Sequence, residues 1–169
     1  MAFSFQEPKT VSQWVDYLSD SGEKQGRFKI RGNTYPLFQV ELGRLNSIYM
    51  DNQKYIEYNS VPLTHIQAIF LAVAKHLIED WSEVYFKVDG EVLEVPFNTD
   101  FASKLFLWGD GLSGVIVAGW ALEQSKTIQA NANAFKAEVV GKSESSTDGQ
   151  DLATKQAKKP KKTTTSTNG

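Results

Sequence analysis

The chain has 169 residues, 41% hydrophobic and 12% aromatic, with no cysteine and a formal net charge of −2. That length suits one domain, the aromatic content excludes a wholly disordered chain, and the missing cysteines exclude disulfides, thiolate zinc sites and cysteine nucleophiles. The charge argues neither for nor against a nucleic-acid partner. "MAFSFQEPKT" has no basic stretch leading into an apolar run, so no signal peptide is expected. No run of about 20 apolar residues exists to span a bilayer. A soluble intracellular protein is the expectation.

In chain order, "TVSQWVDYLSD" places Val11, Trp14, Val15 and Leu18 at helical spacing, with Thr10 as N-cap, and predicts a helix. "RFKIRGN" alternates Phe28 and Ile30 with charges and turns at Gly32-Asn33, which predicts a short strand or hairpin arm. From Leu37 to Tyr58, apolar Leu37, Val40, Leu45, Ile48 and Tyr49 recur at three to four residues and predict a second helix, weakened by Gly43. "PLTHIQAIFLAVAKHLIEDW" carries the strongest helical signal. Thr64 and Gln67 form a capping box, and Leu63, Ile66, Phe70, Val73, Leu77 and Trp81 make one stripe, widened by Ile69, Ala74 and Ile78.

"VYFKVDGEVLEVPF" reads as a hairpin, because Asp89-Gly90 suits a type I′ turn whose two central residues need positive φ. That register sets Phe86 opposite Leu93 and Val84 opposite Val95 on one face. Asn98 or Thr99 then caps a short helix, "DFASKLFLW", and a long helix runs from about Leu112 to Val140, with Gly141 as its stop. The fold class is therefore mostly α, an α+β chain dominated by helices, with a short β-hairpin and an N-terminal β arm. The organisation expected is an N-terminal helix or arm over 1–26, a helical domain over 27–141 and a disordered tail over 142–169.

The tail is rich in Ser, Thr and Lys, and Leu152 is its one large apolar residue. Such a segment buries too little surface to offset its ordering entropy. Its net charge is +3, leaving the body at −5. A solvated terminus and a polyanion-binding arm are both open readings, although the tail lacks Arg and aromatic residues for base stacking.

The sharpest chemical motif is "LFLWGDGLSGVIVAGW", in which Gly109, Gly111 and Gly114 spell G-x-G-x-x-G. A dinucleotide site needs a strand before the glycines and a second strand, with an acid, about 20 residues on. Here the preceding segment reads as helix, no later strand is predicted, and Asp110 would set a negative charge beside the phosphates. A loop between two helices is the expectation, with no cofactor. His65 and His76 stand about 16 Å apart by helical rise and cannot share a metal. His76 with Glu79 and Asp80 lacks a third ligand. The serines of "SVPL" and "GLSG" have no nucleophile elbow, so neither a catalytic nor a metal site is expected.

The order of motifs resembles the tail assembly chaperones of long-tailed bacteriophages. "FKIRGNTYPLFQVELGRL" is similar to that family's opening, where a short basic arm precedes a helix. "AVAKHLIEDW" resembles its central helix, ending in an acidic-Trp signature at Glu79, Asp80 and Trp81. "DGEVLEVPFNTDFASKLF" resembles the connection that follows, and "WALEQSKTIQANANAFKAEVVGK" the closing helix. The likeness covers residues 27–142.

It implies a non-enzymatic protein that binds the long helical tape measure protein, keeps it soluble and helps recruit tail tube subunits. It implies action in the host cell cytoplasm, absence from the mature virion, and self-association into a homo-oligomer, with no nucleic acid or membrane as partner. Trp120, Ile128, Phe135 and Val139 on the last helix are the candidate partner-binding residues, and Ala130, Ala132 and Ala134 permit close helix approach. The alternative is that these side chains complete the chain's own core. The resemblance further implies a programmed frameshift, with 142–169 as linker to a longer form that contacts tail tube protein; Lys158-Lys159 and Lys161-Lys162 are where slippery codons would lie. A small virion structural protein, such as a head–tail completion factor, and a nucleic-acid accessory factor are the competing readings.

Overall fold

The computed structural model describes residues 10–51, 55–109 and 113–145. The chain forms two compact units, Met1–Phe135 and Lys136–Gly169.

The first unit opens on a three-stranded antiparallel sheet of order β1-β2-β5, with β1 at Ser12–Leu18, β2 at Lys24–Arg31 and β5 at Ile78–Ser82. The helix expected over Val11–Leu18 is a strand. Its apolar residues fit both periods, and pairing decides between them. Val15 lies opposite Phe28 and Tyr17 opposite Gly26, so the β1 residues that pack inward meet the inward face of β2. The division expected at 26/27 falls inside β2.

Helix α1, Pro36–Met50, starts with Pro at its first turn and ends well before Tyr58. Its inward face is Phe38, Leu45 and partly buried Leu42 and Tyr49, whereas Leu37 and Val40 are exposed. Tyr49 is anchored by donating from its hydroxyl to the Leu63 carbonyl at 2.7 Å. A small hairpin follows, β3 at Glu57–Tyr58 and β4 at Val61–Pro62, turning on Asn59 and Ser60, both at positive φ.

The capping box forms as expected. Thr64 accepts from the Gln67 amide, while the Gln67 side chain accepts from the Thr64 amide, and α2 runs over His65–Ala72. The single helix expected through Trp81 does not persist. Val73–Leu77 is a π-helical turn, and Ile78 then takes up extended backbone. The change follows from what lies beside it. Ile30 pairs with Ile78 and Phe28 with Trp81, so the last residues of this segment complete the sheet. Burying Ile78 and Trp81 against β2 satisfies one edge of its backbone as well as their side chains.

The ribbon β6, Tyr85–Val88, and β7, Glu91–Glu94, has the register read from the sequence, with Phe86 opposite Leu93. Asp89 and Gly90 both take positive φ. Val95 donates its amide to the Val84 carbonyl at 3.0 Å, extending the pairing beyond the strands. Asn98 caps α3, Thr99–Trp108, by accepting from the Asp100 amide.

Helix α4 begins at Ser113 and runs through Gly141 to Ser145. The stop expected at Gly141 is overturned, and the tail expected from 142 starts as helix. Residues 146–169, which hold the rest of that tail and both Lys-Lys pairs, lie outside the described residues, as does "FSF" at the start. The core packs α1, α2, α3 and α4 against the inner face of the sheet, through Phe38, Leu45, Phe70, Leu77, Phe106 and Ala121 among others.

Candidate partner-binding surfaces

The glycine motif is a helix–helix junction. Helix α3 ends at Trp108, Gly109 donates to the Leu105 carbonyl at 2.9 Å, and the Gly114 amide in the first turn of α4 donates to the Gly109 carbonyl at 3.0 Å. A Cβ on Gly109 would lie 2.6 Å from the Leu105 carbonyl oxygen, and one on Gly114 would meet that same oxygen and, at 2.9 Å, the Gly109 nitrogen. These glycines therefore let two backbones touch. Gly111 lies outside the described residues.

The outer face of the sheet is a charged lattice. Lys29 donates to Glu79 at 2.9 Å, Arg31 lies 3.8 Å from the same carboxylate, and Asp16 bridges Lys24 and Arg27 at 3.4 and 3.3 Å. Arg27 sits over the Trp14 ring at 5.7 Å. Glu79 and Asp80, expected at a helix end, are on β5. The Lys29 hydrogen bond holds Glu79 below its ordinary pKa, so this carboxylate stays charged as an ion-pair member.

The two histidines have separate local roles. His65 Nε2 lies 3.0 Å from the Asn46 amide oxygen and its ring packs 4.8 Å from Tyr49. His76 sits in the π-helical turn, where burial lowers its pKa and the nearby cations Lys75 and Arg31 lower it further, against the opposing pull of Glu41. Among the described residues, no group of three or more His, Asp or Glu stands close enough to hold a metal.

The shift at His76 has a pH consequence. Unfolded, the ring titrates near the ordinary 6.5; folded, it titrates lower. As pH falls through that window the unfolded chain binds the proton first, so stability present above about pH 6.5 is lost on acidification. Glu41 and Glu79, whose pKa values are lowered by Arg44 and Lys29, contribute losses only at lower pH, as it falls through and below the ordinary carboxylate range. Thermal melts from pH 7.5 to 3 should show a falling midpoint, and His76→Gln should flatten the upper part of that fall while leaving the part below about pH 4.5 in place. An unchanged profile in His76→Gln would remove the ring from the account.

The four partner-binding candidates divide. Ile128 is 4% exposed and belongs to the core. Trp120 is partly buried, with its ring 4.9 Å from Tyr17 and 5.6 Å from Phe28. Both therefore serve the chain's own packing. Phe135, at the end of the first unit, is 68% exposed, and Val139, in the second, is 50% exposed. Val115 and Ile116 near the start of α4 are exposed as well.

A surface that the sequence reading did not single out lies between β6 and α3. Tyr85 and Trp108 are 56% and 42% exposed, and with Phe86, Lys87, Lys104 and Leu105 they line an open cleft of about 370 Å³. Phe86 packs on Phe101 at 5.7 Å and Trp108 on Tyr58 at 5.3 Å, which fixes both walls. Its signal in the sequence was Tyr85, an apolar residue on the face of the ribbon away from Phe86.

No protein-family model, curated protein or solved structure matches this chain. Among the described residues, no helix is long and apolar enough to cross a membrane.

Proposed function

We propose that this chain is a phage tail assembly chaperone. It binds the tape measure protein through exposed apolar helix surface, keeps it soluble while the tail is built, and helps recruit tail tube subunits. It acts in the host cell cytoplasm as a homo-oligomer and is absent from the finished particle. A longer frameshifted form makes the tube contact.

The observation that carries this reading is Phe135. Helix α4 uses Ala118, Ala121 and Ile128 to complete the core, and then presents a large aromatic side chain, seven residues beyond Ile128 and on the same helical face, to solvent. An aromatic on a helix without cover is the kind of anchor that a second amphipathic helix takes into its groove. The order of motifs along residues 27–142 supports the family, although the acidic-Trp signature of Glu79 to Trp81 lies on a strand here.

Co-expression tests the reading. The tape measure protein alone should precipitate, and with this chain it should stay in the soluble fraction. Phe135→Asp should reduce that soluble yield about tenfold, the scale of a lost aromatic anchor, without lowering the chain's own melting temperature. A tape measure protein equally insoluble in both cases would refute the function. Finding the chain in purified virions by mass spectrometry would instead favour a structural component of the particle.

A further inference from the structure

We propose that the open edge of β6, together with the facing side of α3, binds an extended acidic–apolar segment of a partner protein by strand addition. The argument begins with the register. In an antiparallel ribbon, hydrogen-bonded pairs alternate with pairs that do not exchange bonds. Val84, just before β6, accepts from Val95, so the bonded positions within β6 are Phe86 and Val88. The backbone N–H and C=O groups of Tyr85 and Lys87 therefore point away from β7. No third strand pairs with this ribbon among the described residues.

The cleft lies on that open side. It is lined by Tyr85 to Lys87 and by Lys104, Leu105 and Trp108 of α3, and no β7 residue contributes. An unpaired strand edge is a template for another strand, and proteins usually cover or blunt it. Here it is left beside apolar Leu105 and Trp108, which offer a floor for alternate side chains of an added strand. A helix has no free backbone groups with which to pair Tyr85 and Lys87, so the geometry favours an extended occupant.

Charge selects its chemistry. The cleft is lined by two lysines and no carboxylate. Lys104 is held by Asp100 at 2.7 Å, whereas Lys87 forms none of the ion pairs found among the described residues. An acidic side chain on the incoming strand would pair with Lys87 at the rim, while an apolar neighbour packs on Trp108. No described residue of α4 lines this cleft, so either assignment can fail alone.

The test uses the full chain and a fluorescein-labelled heptapeptide of alternating Glu and Val, followed by fluorescence anisotropy. The expected result is saturable binding, weakened about tenfold by Lys87→Glu, the scale of one close charge pair. Lys87 is exposed, so that variant should fold normally, and an unchanged melting temperature checks it. The same peptide methylated on alternate backbone nitrogens should not bind, and a Lys–Val peptide should bind at least about tenfold more weakly. Peptide binding should also slow hydrogen exchange at the Tyr85 and Lys87 amides.

Four results would overturn the proposal. They are the absence of saturable binding, equal binding of the methylated peptide, equal binding by Lys87→Glu, and dimerisation of the chain through this edge that the peptide does not reverse.

Discussion

Trp81→Ala should cost about 3–5 kcal/mol, the largest loss of any single substitution considered for this chain. Trp81 is 4% exposed and is the hub of an aromatic cluster: Phe28 at 6.0 Å, Phe97 at 5.3 Å and Phe86 at 6.1 Å surround its ring. Its Nε1 donates to the Val95 carbonyl at 2.7 Å, which ties the β6–β7 ribbon to the sheet. Truncation to Ala removes the transfer energy of the ring, leaves a cavity that rigid strands close only in part, and strands a partly buried carbonyl. Against a typical total of about 5–15 kcal/mol, such a loss lowers the melting temperature by roughly 10 °C. Trp81→Phe keeps most of the volume and loses the hydrogen bond, so it should cost about 1–2 kcal/mol. Chemical denaturation of the two variants checks both figures. A Trp81→Ala variant within about 1 kcal/mol of the parent would mean that the ribbon does not depend on this anchor.

Gly114→Ala should also destabilise, by about 2–3 kcal/mol, although helix propensity alone predicts the opposite sign. Gly114 lies in α4, where Ala is favoured over Gly by about 1 kcal/mol. A Cβ there, however, meets the Leu105 carbonyl oxygen and the Gly109 nitrogen, both backbone atoms that no rotamer change can move. Relief requires α3 and α4 to separate, which would disturb the burial of Phe106 and Val117. Overpacking against backbone outweighs propensity. Gly43 supplies the control. It lies within α1 with nothing inside 4 Å of a built Cβ, so Gly43→Ala should stabilise by about 0.5–1 kcal/mol. Opposite signs for the two Gly→Ala changes, measured by urea unfolding, would establish that the glycine motif is there for helix contact. A stabilised Gly114→Ala would undo that explanation.

The elements legible in the sequence were those set by local chemistry. Asp89-Gly90 dictates its turn, Thr64 with Gln67 caps α2, and Asn98 caps α3, because each needs only neighbours within a few residues. The strand β5 was not legible for the reason that its partner is distant. Phe28 and Trp81 pair across 53 positions, and the residues from Val73 to Trp81 remain apolar enough to satisfy either period. For β1 the partner is near, with Tyr17 opposite Gly26, but Val11, Trp14, Val15 and Leu18 match a helix stripe until β2 is placed beside them. Gly141 misled because a glycine marks a helix end only where the chain has reason to turn, and α4 continues through it.

On the candidate surface, helical spacing put Ile128 and Phe135 on one face. It could not reveal that the core ends between them, leaving Ile128 buried and Phe135 outside. Helical spacing alone gives no inside and outside along the length of a helix. The cleft at β6 was hidden for a related reason: it needs both the strand register and the position of α3, and only the first was local.

The most direct test of a contact-based function is site-specific photocrosslinking during tail assembly. A benzophenone amino acid placed at Phe135 should yield an adduct with the tape measure protein, and the same group at exposed Lys126 should yield none. A soluble tape measure protein that crosslinks to Lys126 but never to Phe135 would contradict the assignment of this surface.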